Sequence, residues 1–166
     1  MPQADCPLCK MLKGEIPAKK IYEDDKIVIA LHPIPAHKGH LIIFGREHKQ
    51  IISEIDDDIL KKMFDFSRKL SSMVFDAFAA QGTNVLIQNG EAAGQTINHF
   101  CIHVIPRTPA DGVNFEWQPK PADEAQLSEL EQKISAAIKD ATETGDPGNV
   151  IKGDNNYMVR QLQRIP

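Results

Sequence analysis

Three cysteines are all that this 166-residue sequence contains. A small, odd number rules out a disulfide framework and leaves Cys6-x-x-Cys9 to be read as a metal-binding or redox pair in a reducing compartment. No apolar run approaches the ~18–20 residues of a membrane span. The start, Met1-Pro2-Gln3-Ala4-Asp5, does not have the form of a signal peptide. The expectation is therefore a cytoplasmic protein without a membrane partner. An excess of positive charge is also lacking: 19 Lys and Arg stand against 23 Asp and Glu, for a net charge of −4. Bulk nucleic-acid binding is not expected from that balance, although a local basic groove stays open. There is no internal repeat and no low-complexity tract.

What is present is the composition of an ordinary globular protein, 42% hydrophobic and 25% charged, with length for one domain and a real core. Cys6 to Lys13 reads as a short helical turn closed by Gly14. Two extended runs, Lys19 to Glu23 and Ile27 to Leu31, flank the turn-forming Asp24-Asp25 and suggest a hairpin. Pro33 and Pro35 interrupt the chain before a third apolar run, Leu41 to Phe44. From Glu54 to Ala80, Ile55, Ile59, Met63, Phe66, Leu70, Val74, Ala77 and Phe78 recur every three or four residues, which predicts a long amphipathic helix. Ser53 is its expected cap and Gly82 its expected stop. Val85 to Ile87 and Ile97 to Ile105 read as strands around the Asn89-Gly90 turn, and Asp123 to Thr142 as a last helix. This order predicts an α+β fold: an antiparallel sheet of about five strands, with the helices on one side. The expected domain is 1–142, with a tail at 143–166 that packs on the domain or on a partner subunit.

Two groups of residues carry chemistry. Cys6 and Cys9 have zinc-ligand spacing, and His48 and His99, each beside a strand, could complete a structural Cys₂His₂ site. The alternative is that both cysteines are small buried hydrophobes and His48 a surface histidine. The second group is the segment from Asn89 to Arg107. Along a strand, His99, Cys101 and His103 would share one face, while Phe100, Ile102 and Val104 face the core. The loop before it is short and bounded by Gly90 and Gly94. The amides of Gly94 and Gln95, with the Thr96 hydroxyl, could cradle an anion there.

Read in order, Cys6-Pro7-Leu8-Cys9-Lys10, Gly14-Glu15-Ile16-Pro17-Ala18, Tyr22-Glu23-Asp24-Asp25, Pro35 with Gly39-His40-Leu41, Glu47-His48, and Asn89-Gly90 with Gly94-Gln95 before the histidine-bearing strand resemble the histidine triad (HIT) superfamily, in particular its Hint-like and prokaryotic branch. The resemblance spans Cys6 to Arg107. It implies an antiparallel sheet flanked by helices in a homodimer. It also implies hydrolysis or transfer at the α-phosphate of a nucleotide through a nucleotidylated histidine, and zinc on Cys6, Cys9, His48 and His99.

The pattern is broken in three places. The nucleophilic middle position is Cys101, whose thiolate is a strong nucleophile when a positive neighbour lowers its pKa, but whose shorter side chain sets the reacting atom back. His32 stands where the family usually presents an aspartate to the ribose hydroxyls, and Gln88 where an asparagine is common. His37 and His40 nearby read as solvent-facing or capping residues, one of which could instead bind an anion as His⁺. Catalysis is thus assigned to Cys101 and His103, and substrate binding to Gln88, Asn89, Gly94, Gln95, Thr96 and His32. The reading is a zinc-containing hydrolase of a nucleotide or related phosphate-bearing small molecule. The alternatives are a non-catalytic nucleotide- or anion-binding module, or a hydrolase of another small-molecule class using the same pocket.

Overall fold

The computed structural model describes residues 5–143. The tail expected from 143 onward therefore lies, apart from its first residue, outside the described residues. The elements are α1 (Pro7–Lys13), β1 (Lys20–Glu23), β2 (Ile27–Leu31), β3 (Leu41–Gly45), α2 (Asp57–Phe78), β4 (Gly82–Ile87), β5 (Cys101–Arg107) and α3 (Glu124–Glu143). Single 3₁₀ turns at Ile52–Glu54 and Glu91–Ala93 punctuate the connections. The strands form one antiparallel sheet in the order β1-β2-β3-β5-β4. None of the described helices is long and apolar enough to cross a membrane.

Alternation along the strands builds two cores, one on each face of the sheet. Ile27, Ile29, Leu41, Ile43, Phe100, Ile102 and Val104 pack against Met63, Leu70 and Val74 of α2. Val28, Ala30, Ile42 and Phe44 pack against Leu8, Cys9 and Met11 of α1. The two helices thus cover opposite faces, which corrects the expectation of helices on one side. The physical reason is that β2 and β3 are apolar on both faces, so each face needs a cover. Ile43 has no solvent exposure and sits on the α2 side. Ile43→Ala should cost about 2–5 kcal/mol, read as a lower urea midpoint, whereas a loss below about 1 kcal/mol would mean the core is not packed as described.

The long helix is shorter than its periodicity predicts. Residues 52–54 form a separate turn, Ser53 lies within it, and α2 begins after Asp56. Asp57 and Asp58 in the first turn complement the helix dipole. The helix ends at Ala79, held left-handed at φ 51°, and Gly82 opens β4 instead of terminating the helix. β4 is one edge of the sheet, with Val85 exposed on it.

The chain divides into two units, the first carrying the sheet through Val113 and the second starting at Asn114. Within the second, α3 exposes Leu127, Leu130, Ile134 and Ile138 at helical spacing.

Candidate functional site

The site face of the sheet begins where β5 acquires its ladder. β4 ends at Ile87, paired with Ile102, and the last pair with β3 joins Phe44 to Cys101. No strand partner remains for residues 97–99, so they bend and β5 starts at Cys101, four residues later than the sequence predicts. Phe100 is still tied in, its amide donating to the Lys49 carbonyl at 2.7 Å. Cys101 and His103 keep the strand alternation and share the α1 side. His99 reaches that side from the bend.

That bend delivers the His99 ring to the N-terminal cysteines. Its Nδ1 lies 3.4 Å from Cys6 Sγ and 3.7 Å from Cys9 Sγ, and His48 Nδ1 lies 3.3 Å from Cys9 Sγ. One ligand atom from each of the four residues falls within 4.8 Å of the others. The hydrogen bonding favours ligation. His99 Nε2 donates to the Gly45 carbonyl at 2.9 Å, so the neutral ring carries its proton there and turns the Nδ1 lone pair toward the thiols. Burial, then the adjacent Cys6, pushes the Cys9 thiol up to about 11. Two buried thiols, the buried His99 and the half-buried His48 are the donor set of a tetrahedral zinc site, and these residues fit such an ion. His99 is 1% exposed, and burial holds it at about 4, hence neutral.

On the other side of Cys101 is a chain of imidazoles. Cys101 Sγ lies 3.3 Å from His103 Nε2, and His103 Nδ1 lies 2.9 Å from His40 Nε2. The amide of Ala36 donates to His40 Nδ1 at 3.1 Å. One backbone N–H thereby orients the whole chain. It fixes the His40 proton on Nε2, which donates to His103 Nδ1, and so fixes the His103 proton on Nε2, pointed at the Cys101 sulfur. His40 is 5% exposed, which overturns the reading of it as a solvent-facing or capping residue. Burial, with His32 and His103 adding, lowers it to about 3, so it does not serve as His⁺ near neutrality. Burial, and His32 after it, lowers His103 to about 4. Burial, and Cys6 after it, raises the Cys101 thiol to about 12, so sulfur is protonated at rest.

Cys101 and His103 line a small open pocket together with Gln88, Gln95, Thr96 and Ile97. The loop does not offer its amides as a cradle. Gly94 N–H donates to the Glu91 carbonyl and Gln95 N–H to the Gly90 carbonyl. The Gln95 side chain accepts from Gly90 N–H and donates to the Gln50 and Ile97 carbonyls. Asn89 accepts from Ile52 N–H and is structural in this arrangement. Gly94 is left-handed, and a Cβ there would meet Gln88 Nε2 at 2.6 Å, so glycine at 94 is what lets the Gln88 amide lie against the loop. Of the substrate-binding residues expected from sequence, Gln88, Gln95 and Thr96 line the pocket. His32 stands at 5.7 Å ring-to-ring from His103. Ile97 and His40 were not assigned to the site; Gly39-His40 immediately before a strand was the available signal for the second.

An antiparallel sheet with a thiol–imidazole pair on its inner strand β5, a Gly-bounded loop beside the pair and a Cys₂His₂ cluster nearby defines a small α+β protein with a polar-lined pocket. Residues 13–110 match the HIT domain. An adenosine 5'-monophosphoramidase of Candida albicans is 31% identical over 140 residues, covering 81% of this chain and 92% of that protein. A crystal structure of a HIT family member from Bacillus subtilis superposes with a TM-score of 0.73 at 30% identity, covering 80% of this chain and 96% of the other. A Zn-bound histidine triad family protein from Mycobacterium smegmatis superposes at 0.63 with 27% identity, over 81% and 99% of the two chains. The chain belongs to the HIT family.

Proposed function

We infer that the protein is a zinc-containing hydrolase acting at the phosphorus of a nucleotide or related phosphate-bearing small molecule. Cys101 occupies the position of attack and His103 that of proton donor. The observation that carries this is the 3.3 Å approach of Cys101 Sγ to His103 Nε2 on the wall of the pocket. Support comes from the phosphoramidase named above, of which this chain covers most of the length.

The tautomer chain determines what His103 can do. Its Nε2 already bears a proton, so it can take the thiol proton only as it gives up its own. With a phosphoramidate in the pocket, sulfur attacks phosphorus and the P–N bond breaks. The His103 Nε2 proton passes to the departing nitrogen, and the thiol proton replaces it on Nε2. An S–P bond and a molecule of amine result. Water then attacks phosphorus and restores the thiol. Thr96 and Gln88 are placed to hold the phosphoryl oxygens. Zinc on Cys6, Cys9, His48 and His99 would be structural, pinning α1 and the start of β5 together. A homodimer through the β4 edge is part of the same proposal, since an uncovered edge strand invites pairing.

The high thiol pKa favours one competing reading, a nucleotide-binding module without turnover. Incubation with adenosine 5'-phosphoramidate, followed by intact-mass measurement after acid quench, separates them. An increment of nucleotide mass on Cys101 with release of AMP is expected. Binding without adduct or AMP would leave only the module.

A further inference from the structure

His40 and His103 take their direction from the amide of Ala36, and an exposed loop carries that amide. Between β2 and β3, Pro33, Ile34, Pro35, Ala36 and Lys38 are open to solvent. A segment of such residues has little apolar burial to hold it in one conformation. His32 N–H donates to the His40 carbonyl at 2.9 Å, and His40 N–H closes a turn on the His37 carbonyl at 3.0 Å. Both bonds are internal to residues 32–40.

Two contacts brace the loop from outside. His37 Nε2 lies 3.4 Å from the hydroxyl of Thr108, just past the end of β5. The other is the ring of Phe78, the last residue of α2, against Gly39. A Cβ at position 39 would lie 2.7 Å from two carbons of that ring, so the ring fills the place of a side chain. Gly39 is left-handed at φ 82°, and its bare backbone lets the ring close beside His40. Core packing does not account for Phe78, which is 37% exposed and is not among the residues packed on the α2 core. The helix nevertheless ends directly after it, by turning Ala79 left-handed at φ 51°, where side-chain-bearing residues are uncommon. Such strain persists where the surrounding structure enforces it and points to a role.

We propose that Phe78 is a positioning residue: its ring holds Gly39, and through it the Ala36–His40–His103 chain, so that the His103 Nε2 proton points at Cys101. Phe78 does not line the pocket and acts only through the loop. The inference deepens the hydrolase reading, on which its kinetic consequences rest.

Nitrogen NMR of the histidine-labelled full chain tests it by reading which ring nitrogen carries each proton. Steady-state hydrolysis of adenosine 5'-phosphoramidate reads the consequence. In wild type, His40 and His103 should both be protonated on Nε2. Phe78→Ala should give mixed tautomers on both rings, with kcat lowered about tenfold or more and KM changed by less than about threefold. Phe78→Leu, which refills most of the space, should restore the wild-type signals and bring kcat back to within about threefold. Gly39→Ala, which pushes the ring off the loop without removing it, should reproduce the mixed tautomers. Wild-type tautomers retained in Phe78→Ala and Gly39→Ala, or a fall in kcat without a change of tautomer, overturns the proposal and leaves the hydrolase reading intact. A wild-type protein without turnover defeats the hydrolase reading, and the tautomer signals still decide for or against Phe78.

Discussion

Cys101→Ala is expected to lower release of AMP from adenosine 5'-phosphoramidate by at least about a thousandfold, the scale on which removal of a nucleophile acts. The loss should appear in kcat, with nucleotide affinity changed by less than about threefold, because alanine leaves Gln88, Thr96 and His103 in place. The cause is geometric: Sγ is the one atom on the pocket wall that can form a bond to phosphorus with a proton donor at 3.3 Å. Turnover that survives in Cys101→Ala would move the attack to water and make Cys101 a spectator. Cys101→His adds a second informative variant. An imidazole reaches further into the pocket than a thiol and is unprotonated on one nitrogen at neutral pH. It should therefore raise the rate if the short, protonated thiol is what limits the enzyme. No gain would place the limit at Gln88 and His32 as well.

The other large effect concerns the Cys₂His₂ cluster. Purified protein should contain about one zinc per chain. Cys6→Ser should release it and lower the melting temperature by on the order of 10 °C, corresponding to about 3–5 kcal/mol in a domain of this size. Without the ion, the elevated thiol of Cys9 and the rings of His48 and His99 hold one another by weak S···N contacts and an edge-on ring contact. Chelation of wild type should reproduce the loss, and chelation of Cys6→Ser should add nothing. Zinc retained in Cys6→Ser would refute the ligand set. The position of the cluster also ties it to catalysis: His99 is two residues from Cys101, so slack at residue 99 should reach the attacking atom. A fall in kcat in proportion to zinc loss is the expected companion.

How far the sequence revealed this arrangement differs element by element. β2 and β3 were legible because their residues are apolar without interruption, and α2 because its core residues recur at the helical period. The ends were less legible. Ser53 looked like a cap, but residues 52–54 close a turn of their own. The bend at 97–99 exists because β3 and β4 stop short of it, and a strand's own residues do not record where its neighbours end. His40 is the sharpest case. One histidine between glycine and leucine carries no sign of burial, and only the return of β5 beside β3 places it against His103.

By itself, then, the sequence determined the pairing of chemistries: two cysteines at ligand spacing, and an alternation that puts Cys101 and His103 on one face. These follow from covalent order and the two-residue period of a strand, which need no long-range information. Tertiary structure decided where the ring protons of His32, His40, His99 and His103 sit. The amide of Ala36 orients His40, and through it His103. The carbonyl of Gly45 turns the lone pair of His99 toward sulfur, and the amide of Ile34 leaves His32 a donor. Hydrogen-bond direction depends on which backbone group a fold brings beside a ring, and that contact is made only when the sheet closes.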